Sequence, residues 1–359
     1  MEPSRDQILA SLSNVIDPEL RKPVTELDMV RDIAIHGGDV TVTIALTVAG
    51  CPLRTSFQDQ VHEYVGAVPG VESVRLEFDV MSPDEKTALT QKLRGGMTER
   101  TKGISLDRST RVIAVASGKG GVGKSSLTVN LAAAFSQLGQ RVGVLDADVY
   151  GHSVPHLLGI RQKPVLVDKM IVPPVAHDLK LMSIGFFLDG NEPVMWRGPM
   201  LHRALEQFLS DVHWGELDTL VVDMPPGTGD VSISLGQLLP RAEAVIVTTP
   251  QPLAQEVAVR AALMAQKTNM RLLGVIENMT SEVFGSGGGA DLAAQIGTPL
   301  LGTVPLDARL REAGDSGTPL VLADPGAESA QAIQAIAERI SATAREQGIG
   351  ITKALPVLG

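Results

Sequence analysis

Cysteine is almost absent: Cys51 is the single one in 359 residues. An intrachain disulfide framework is thereby excluded, as is a zinc site built from several thiolates of one chain. Aromatic residues are also scarce, at 3%, so the cores must be assembled from Val, Leu, Ile and Ala. No run of about 18 apolar residues, the length needed to span a bilayer, occurs. The N-terminus, Met-Glu-Pro-Ser-Arg-Asp, has no basic segment leading into an apolar core, which argues against export and for a cytoplasmic chain. Basic charge is in deficit, because 31 Lys and Arg stand against 41 Asp and Glu for a net charge of −10. That is the wrong sign for a protein that holds nucleic acid by bulk electrostatics.

What is present is enough apolar material, 44% of the chain, to bury sizeable cores in two or three domains. Residues 1–94 read as a small α+β domain of net charge −6. It opens with a helix whose apolar face is Ile8, Leu9, Leu12 and Ile16, stopped by Asp17-Pro18. Strands 29–36 and 40–46 flank Gly37-Gly38, a hairpin turn. A helix at 53–65 and a strand at 71–78 complete the unit. Residues 95–110 are polar and aperiodic, an interdomain linker. From 111 to 350 the pattern changes, leaving a C-terminal tail at 351–359. Short aliphatic runs at 112–116, 141–145, 219–222, 244–248, 272–276 and 300–304 alternate with helical stretches. This predicts an α/β fold: a doubly wound, mostly parallel sheet buried on both faces.

Glycine is in excess, at 36 residues or about 10% against a background of about 7%, and part of the excess has a chemical reason. Gly118 to Ser125 fits G-x-x-x-x-G-K-[ST], directly after the first of these strands and opening a helix with Leu127, Leu131, Ala134, Phe135 and Leu138 on its apolar face. In this P-loop, Gly118, Lys119, Gly120, Gly121, Val122 and Gly123 curl the backbone so that N–H groups converge on phosphates. Lys124, Ser125 and Ser126 start the helix, whose positive dipole end adds to the site. Lys124 is expected to reach the β and γ phosphates, and Ser125 to ligate Mg²⁺. Two strand ends carry carboxylates at the same sheet edge: Asp146 and Asp148 after 141–145, and Asp223 before Met224-Pro225-Pro226-Gly227-Thr228-Gly229-Asp230. Such a carboxylate is either a Mg²⁺ partner or a strand-end cap. Asn278, in Glu277-Asn278-Met279, can offer a donor and an acceptor to an adenine edge or can simply form a turn. Thr303 to Asp307, with Pro305 at the centre, would give backbone contacts near the base.

Lys119-Gly-Gly-Val-Gly-Lys-Ser resembles the deviant Walker A loop of the MinD, nitrogenase iron protein and ParA superfamily. The resemblance implies that Lys119 crosses a homodimer interface to the partner's nucleotide, like an arginine finger supplied in trans. It further implies that Asp148 lies in switch I near the attacking water, that Asp146 lies near the metal shell, that Asp223 holds Mg²⁺ through water, that Gly227 senses the γ-phosphate, and that Asn278 reads adenine, so ATP. Trp196-Arg197-Gly198-Pro199-Met200, the Asp223–Asp230 segment, Thr248-Thr249-Pro250-Gln251 and Glu277-Asn278-Met279 together look like the Mrp/ApbC family of iron–sulfur cluster carrier ATPases. The N-terminal unit, with Asp17-Pro18-Glu19-Leu20 and Thr47-Val48-Ala49-Gly50-Cys51-Pro52, is similar to the iron–sulfur-assembly domain often fused ahead of them. The implied function is ATP-dependent delivery of iron–sulfur clusters to apoprotein clients.

One departure stands out. Family members usually carry a Cys-x-x-Cys pair after the Glu-Asn-Met strand, and here Thr280 to Gly289 contain no cysteine. A [4Fe-4S] cluster normally takes four thiolates, and a homodimer offers two, both Cys51. Cys51, before Pro52 at an expected helix start, is a candidate for thiol or cluster chemistry or a small buried hydrophobe. His152, His156, His202 and His213 show no ligand spacing. The alternative is a MinD-like regulatory or scaffold ATPase that positions a protein partner without carrying a cluster. A DNA partner is disfavoured by the acidic balance. Membrane attachment is disfavoured by a C-terminal segment, from 342 onward, interrupted by Gly and Pro.

Overall fold

The computed structural model describes residues 2–48, 53–93, 106–107, 109–149, 151–187, 198–239 and 241–346. It divides into two compact units, Met1–Gly103 with Pro164–Pro173 and Asp211–His213, and Ile104–Lys163 with Pro174–Ser210 and Trp214–Gly359.

The first unit contains α1 (Arg5–Leu12), β1 (Val30–His36), β2 (Asp39–Leu46), α2 (Arg54–Gly66), β3 (Ser73–Val80) and α3 (Pro83–Leu93). β1 and β2 form the expected antiparallel hairpin, with Gly37 at φ +64° in the turn, and β3 adds in parallel to β2. The first helix is shorter than its apolar spacing predicts. The Ser13 hydroxyl and Asn14 amide donate to the Ala10 and Ser11 carbonyls at 2.6 and 3.3 Å, competing for groups that would continue the helix. Leu9, on the outer face of the helix, and Ile16, beyond its end, are exposed while Ile8 and Leu12 are buried. α3 is an addition that sequence reasoning did not foresee.

The second unit contains β4 (Arg111–Ser117), α4 (Lys124–Gln137), β5 (Val142–Asp146) and α5 (Val154–Leu157) before a short hairpin, β6 (Val165–Val167) with β7 (Met170–Val172), that groups with the first unit. Then follow β8 (Val175–Ala176), β9 (Leu179–Ser183), α6 (Gly198–Ser210), β10 (Thr219–Asp223), α7 (Asp230–Leu238), β11 (Glu243–Thr248) and α8 (Pro252–Lys267). The chain continues through β12 (Arg271–Thr280), α9 (Gly288–Ile296), β13 (Leu300–Pro305), α10 (Ala308–Ser316), α11 (Leu320–Ala323) and α12 (Glu328–Glu346). The sheet order is β13-β12-β11-β4-β10-β5-β9-β8, parallel throughout except where β8 meets β9. Every residue of β5, β10 and β11 is buried, as expected for strands covered on both faces. α4 and α12 contribute Leu127, Leu131, Ile333 and Ile336 to one side of the core. β9 was not expected, because Lys180 interrupts its aliphatic pattern; that lysine is nonetheless buried.

Position in this order explains where ligands can bind. β4 is flanked by β10 on one side and β11 on the other, so the chain's windings diverge there, and a crevice opens beyond the carboxyl ends of the strands. At the opposite end of the same strands, Arg111 and Glu243 form a buried ion pair that the exposed Arg271 joins from the surface, and the Arg111 guanidinium also donates to the Ile340 carbonyl at 2.7 Å. Burial lowers the Arg111 pKa to about 10. Glu243→Ala strands that cation in the interior and is expected to destabilise the domain by about 3–5 kcal/mol, read as a shift in urea unfolding.

Candidate functional site: the crevice beyond strands 111–117 and 219–223

The loop between β4 and α4 has the backbone a phosphate cradle needs. Gly121 and Gly123 take φ of +78° and +81°, a left-handed conformation that glycine adopts without penalty. A Cβ on Gly118 would collide with the backbone at Val257–Ala258, and one on Gly123 with the Asn278 amide. α4 then starts at Lys124 with no side-chain cap, so its first N–H groups lack partners of the kind a Ser or Asp would supply. Those free donors and the helix dipole fit a bound phosphate chain.

Four charged groups expected here, Lys124, Asp146, Asp148 and Asp223, converge. Asp223, fully buried at the end of β10, accepts from the Lys124 ammonium at 2.7 Å through Oδ1 and from the Ser125 hydroxyl at 2.6 Å through Oδ2. Lys124 also lies 3.5 Å from Asp148. Asp148 in turn accepts from the Gly151 N–H at 3.0 Å and gives its own N–H to Asp146 at 3.2 Å. Asp146 is directly beside Asp223 across the β5–β10 register. Burial, followed by the negative charge of Asp223, pushes the Asp146 carboxyl up to about 7, against the pull of the Ser183 hydroxyl, the Asp148 N–H and Lys124. Lys119 is exposed, with no ion pair among the described residues.

Two expected ligand contacts are already occupied. The Gly227 N–H donates to the Ser117 carbonyl at 2.8 Å, and the Asn278 amide nitrogen donates to the Val122 carbonyl at 2.8 Å, leaving its Oδ1 buried and unpartnered. Both groups must exchange a loop carbonyl for nucleotide before they can read one. Met279, next to Asn278, sits at φ +62° where the β12–β13 register skips a residue, and β13 ends at Pro305 opposite Thr280. Gly120, Val122 and Ser126 belong to the loop and the first turn of α4. Cys51, Trp196 and Arg197 lie outside the described residues. His177 bonds the Gly317 carbonyl, and no group of three or more His, Cys, Asp or Glu able to hold a metal ion occurs among the described residues. A Mg²⁺ ion here would therefore rely on Ser125, the strand-end carboxylates, water and phosphate oxygens, its usual mixture.

Three residues escaped sequence reasoning. The Thr128 hydroxyl lies 2.9 Å from both the Lys124 carbonyl and Asp223 Oδ1; its i+4 spacing from Lys124 was the available signal. Ser183, at the end of the unexpected β9, donates to Asp146 at 2.9 Å. Glu277, fully buried, accepts from the Gly287 and Gly289 N–H groups and so caps α9.

Residues 108–341 match the ParA family of NUBPL iron-transfer P-loop NTPases, and residues 5–76 match an iron–sulfur cluster assembly protein family. The chain belongs to the NUBPL iron-transfer P-loop NTPases. It is 50% identical to a Mycobacterium tuberculosis protein named iron–sulfur cluster carrier protein, over 94% of this chain and 93% of the relative. It is 42% identical to a Synechocystis protein of the same name, over 94% and 96%. A nucleotide-binding protein of Archaeoglobus fulgidus, solved in complex with ADP, is 35% identical, covers 61% of this chain and 89% of its own, and superimposes with a TM-score of 0.53. MinD from Pyrococcus furiosus shares the fold at 21% identity and the same TM-score. Family membership makes the chain a P-loop nucleotide hydrolase. No helix among the described residues is long and apolar enough to cross a membrane. If Lys124 reaches phosphate as its place in the loop predicts, Lys124→Ala removes a charge-assisted contact of about 1.5–3 kcal/mol, and nucleotide affinity is expected to fall about tenfold to a hundredfold by calorimetric titration.

Proposed function

We propose that the chain is a cytoplasmic, homodimeric ATPase that hydrolyses Mg²⁺·ATP and uses the cycle to hold and release an iron–sulfur cluster for apoprotein clients. The observation that carries this reading is the end-to-end identity with cluster carrier proteins, 50% across nearly the whole of both chains, together with an intact phosphate cradle around Lys124, Ser125 and Asp223.

Phosphoryl transfer asks little covalent chemistry of a protein and much electrostatic positioning. Arriving phosphates draw the Lys124 ammonium away from Asp223, and the uncapped N–H groups in the first turn of α4 bind the same oxygens. Mg²⁺, when bound, neutralises charge on the β and γ phosphates. Asp223 and Ser125 would hold it, with Asp146 close behind. Asp148, released from Lys124, orients the attacking water. Gly227 gives up the Ser117 carbonyl to donate to the γ-phosphate, which couples hydrolysis to the segment leading into α7. Lys119, exposed and without an ion partner among the described residues, reaches the partner protomer's nucleotide. Asn278 exchanges Val122 for the adenine edge.

The cluster is cargo in this scheme, and the sulfur inventory limits how it is held. A homodimer supplies two Cys51 thiolates, so the remaining iron ligands come from elsewhere, a client cysteine or a small thiol. A second reading is favoured by the loop after β12: in place of a cysteine pair it presents Val283, 84% exposed, and Phe284, a composition suited to protein contact. A scaffold ATPase that positions a partner would need no sulfur at all. Anaerobic reconstitution with iron and sulfide separates the two. Cluster carriage predicts one cluster per dimer by iron and sulfide analysis, lost in Cys51→Ala; no stoichiometric cluster under any thiol condition leaves the scaffold reading.

A further inference from the structure

α7 and α8 enclose a cleft of about 730 Å³ that the nucleotide chemistry does not use. Its apolar wall is Ile233 from α7 with Leu263 and Met264 from α8, and Ile233 and Leu263 are 39% and 50% exposed. Large side chains left this open on adjacent helices mark a contact surface rather than ordinary scatter. Gly236 lets the helices close on one another, since a Cβ there would collide with Thr268.

The charges along the same cleft are of one sign. Arg260 and Lys267 line it and no carboxylate does, in a chain whose net charge is −10. Both are exposed and neither forms an ion pair among the described residues. Glu256, one turn before Arg260, is outside the lining. Lys267 sits in the last turn of α8, where a cation also complements the helix dipole; Arg260, in the middle of the helix, has no such reason to be there. Seven residues apart on one helix face, the two cations are separated by about 10 Å along the axis. Carboxylates at positions i and i+7 of a second helix laid in the cleft would meet both, while its apolar residues between them would cover Leu263 and Ile233.

We infer that the α7–α8 cleft is a docking groove for an acidic amphipathic helix of a partner protein. Self-pairing of the groove across a two-fold axis is opposed, because it would bring the Arg260 and Lys267 cations of two copies together. The groove adjoins the nucleotide site. Thr228 lines it and follows Gly227, whose N–H is held by the Ser117 carbonyl at the start of the phosphate loop. On the proposed reading, γ-phosphate binding pulls on that same turn, so docking is sensitive to the nucleotide state; this nucleotide dependence rests on that reading, and the groove itself does not.

The test uses the full chain and a fluorescent synthetic helix with Glu at i and i+7 flanking Leu residues, measured by anisotropy without nucleotide, with ADP and with a non-hydrolysable ATP analogue. Saturable binding is expected. Arg260→Glu combined with Lys267→Glu should weaken it about tenfold or more, and a peptide with Lys in place of both Glu should recover affinity for that variant. Absence of saturable binding, or equal affinity for both forms of the protein, would overturn the groove. If the same substitutions instead dissociate a homodimer in sedimentation velocity, the occupant is a second copy and the partner assignment is wrong. Binding that obeys the charge swap yet ignores nucleotide keeps the groove and overturns only its link to the switch. Nucleotide affinity, titrated on the same samples, reports separately on the ATPase reading.

Discussion

Asp223 is the group on which the nucleotide site depends. Its carboxylate has no exposure to water, and burying such a charge is tolerable only when donors replace its hydration. Lys124 and Ser125 supply two, and Thr128 shares a single hydroxyl hydrogen between Asp223 and the Lys124 carbonyl. The same negative charge acts on its neighbours. It helps hold Asp146 protonated well above the ordinary carboxylate range. On the proposed function, the cationic and hydroxyl groups that phosphate and metal would take are ones that Asp223 also binds. Nucleotide binding would then be an exchange of partners rather than the filling of an empty cavity.

The end of β12 extends this logic across the loop. Successive strand residues point to opposite faces, so Glu277 and Asn278 act on different structures. Glu277 holds the glycine turn that starts α9, whereas Asn278 holds the phosphate loop through Val122. Between them and the next loop stands Met279 in a left-handed conformation at a register skip. A shift of Asn278 toward a base would therefore be felt at the loop carrying Val283 and Phe284.

Much of this was legible in the sequence, for identifiable reasons. Strands buried on both faces leave near-continuous aliphatic runs, and the glycines of the phosphate loop are required locally, by φ and by the approach of Val257 and Asn278. β9 was hidden because one buried lysine broke its pattern, and α1 was overextended because Ser13 and Asn14 end it through bonds that apolar spacing does not register. Thr128, Ser183 and Glu277 were missed because their roles depend on partners brought close by the fold. Ser183 meets Asp146 only through the pairing of β5 with β9. The motifs placed Lys124, Ser125, Asp148 and Asp223 at one sheet edge, where the fold does bring them together, but their mutual contacts were not readable.

The most direct test of the exchange account is the nucleotide affinity of Asp223→Asn with and without Mg²⁺, measured by calorimetry on a variant whose melting temperature is first shown to be native-like. Neutralising the carboxylate frees Lys124 and removes a negative charge beside the phosphates. Metal-free ATP affinity should therefore rise, by about tenfold for one charge-assisted bond released, while the strengthening by Mg²⁺ disappears. Equal weakening under both conditions would contradict the account, because it would mean that Asp223 holds the site together without competing for Lys124.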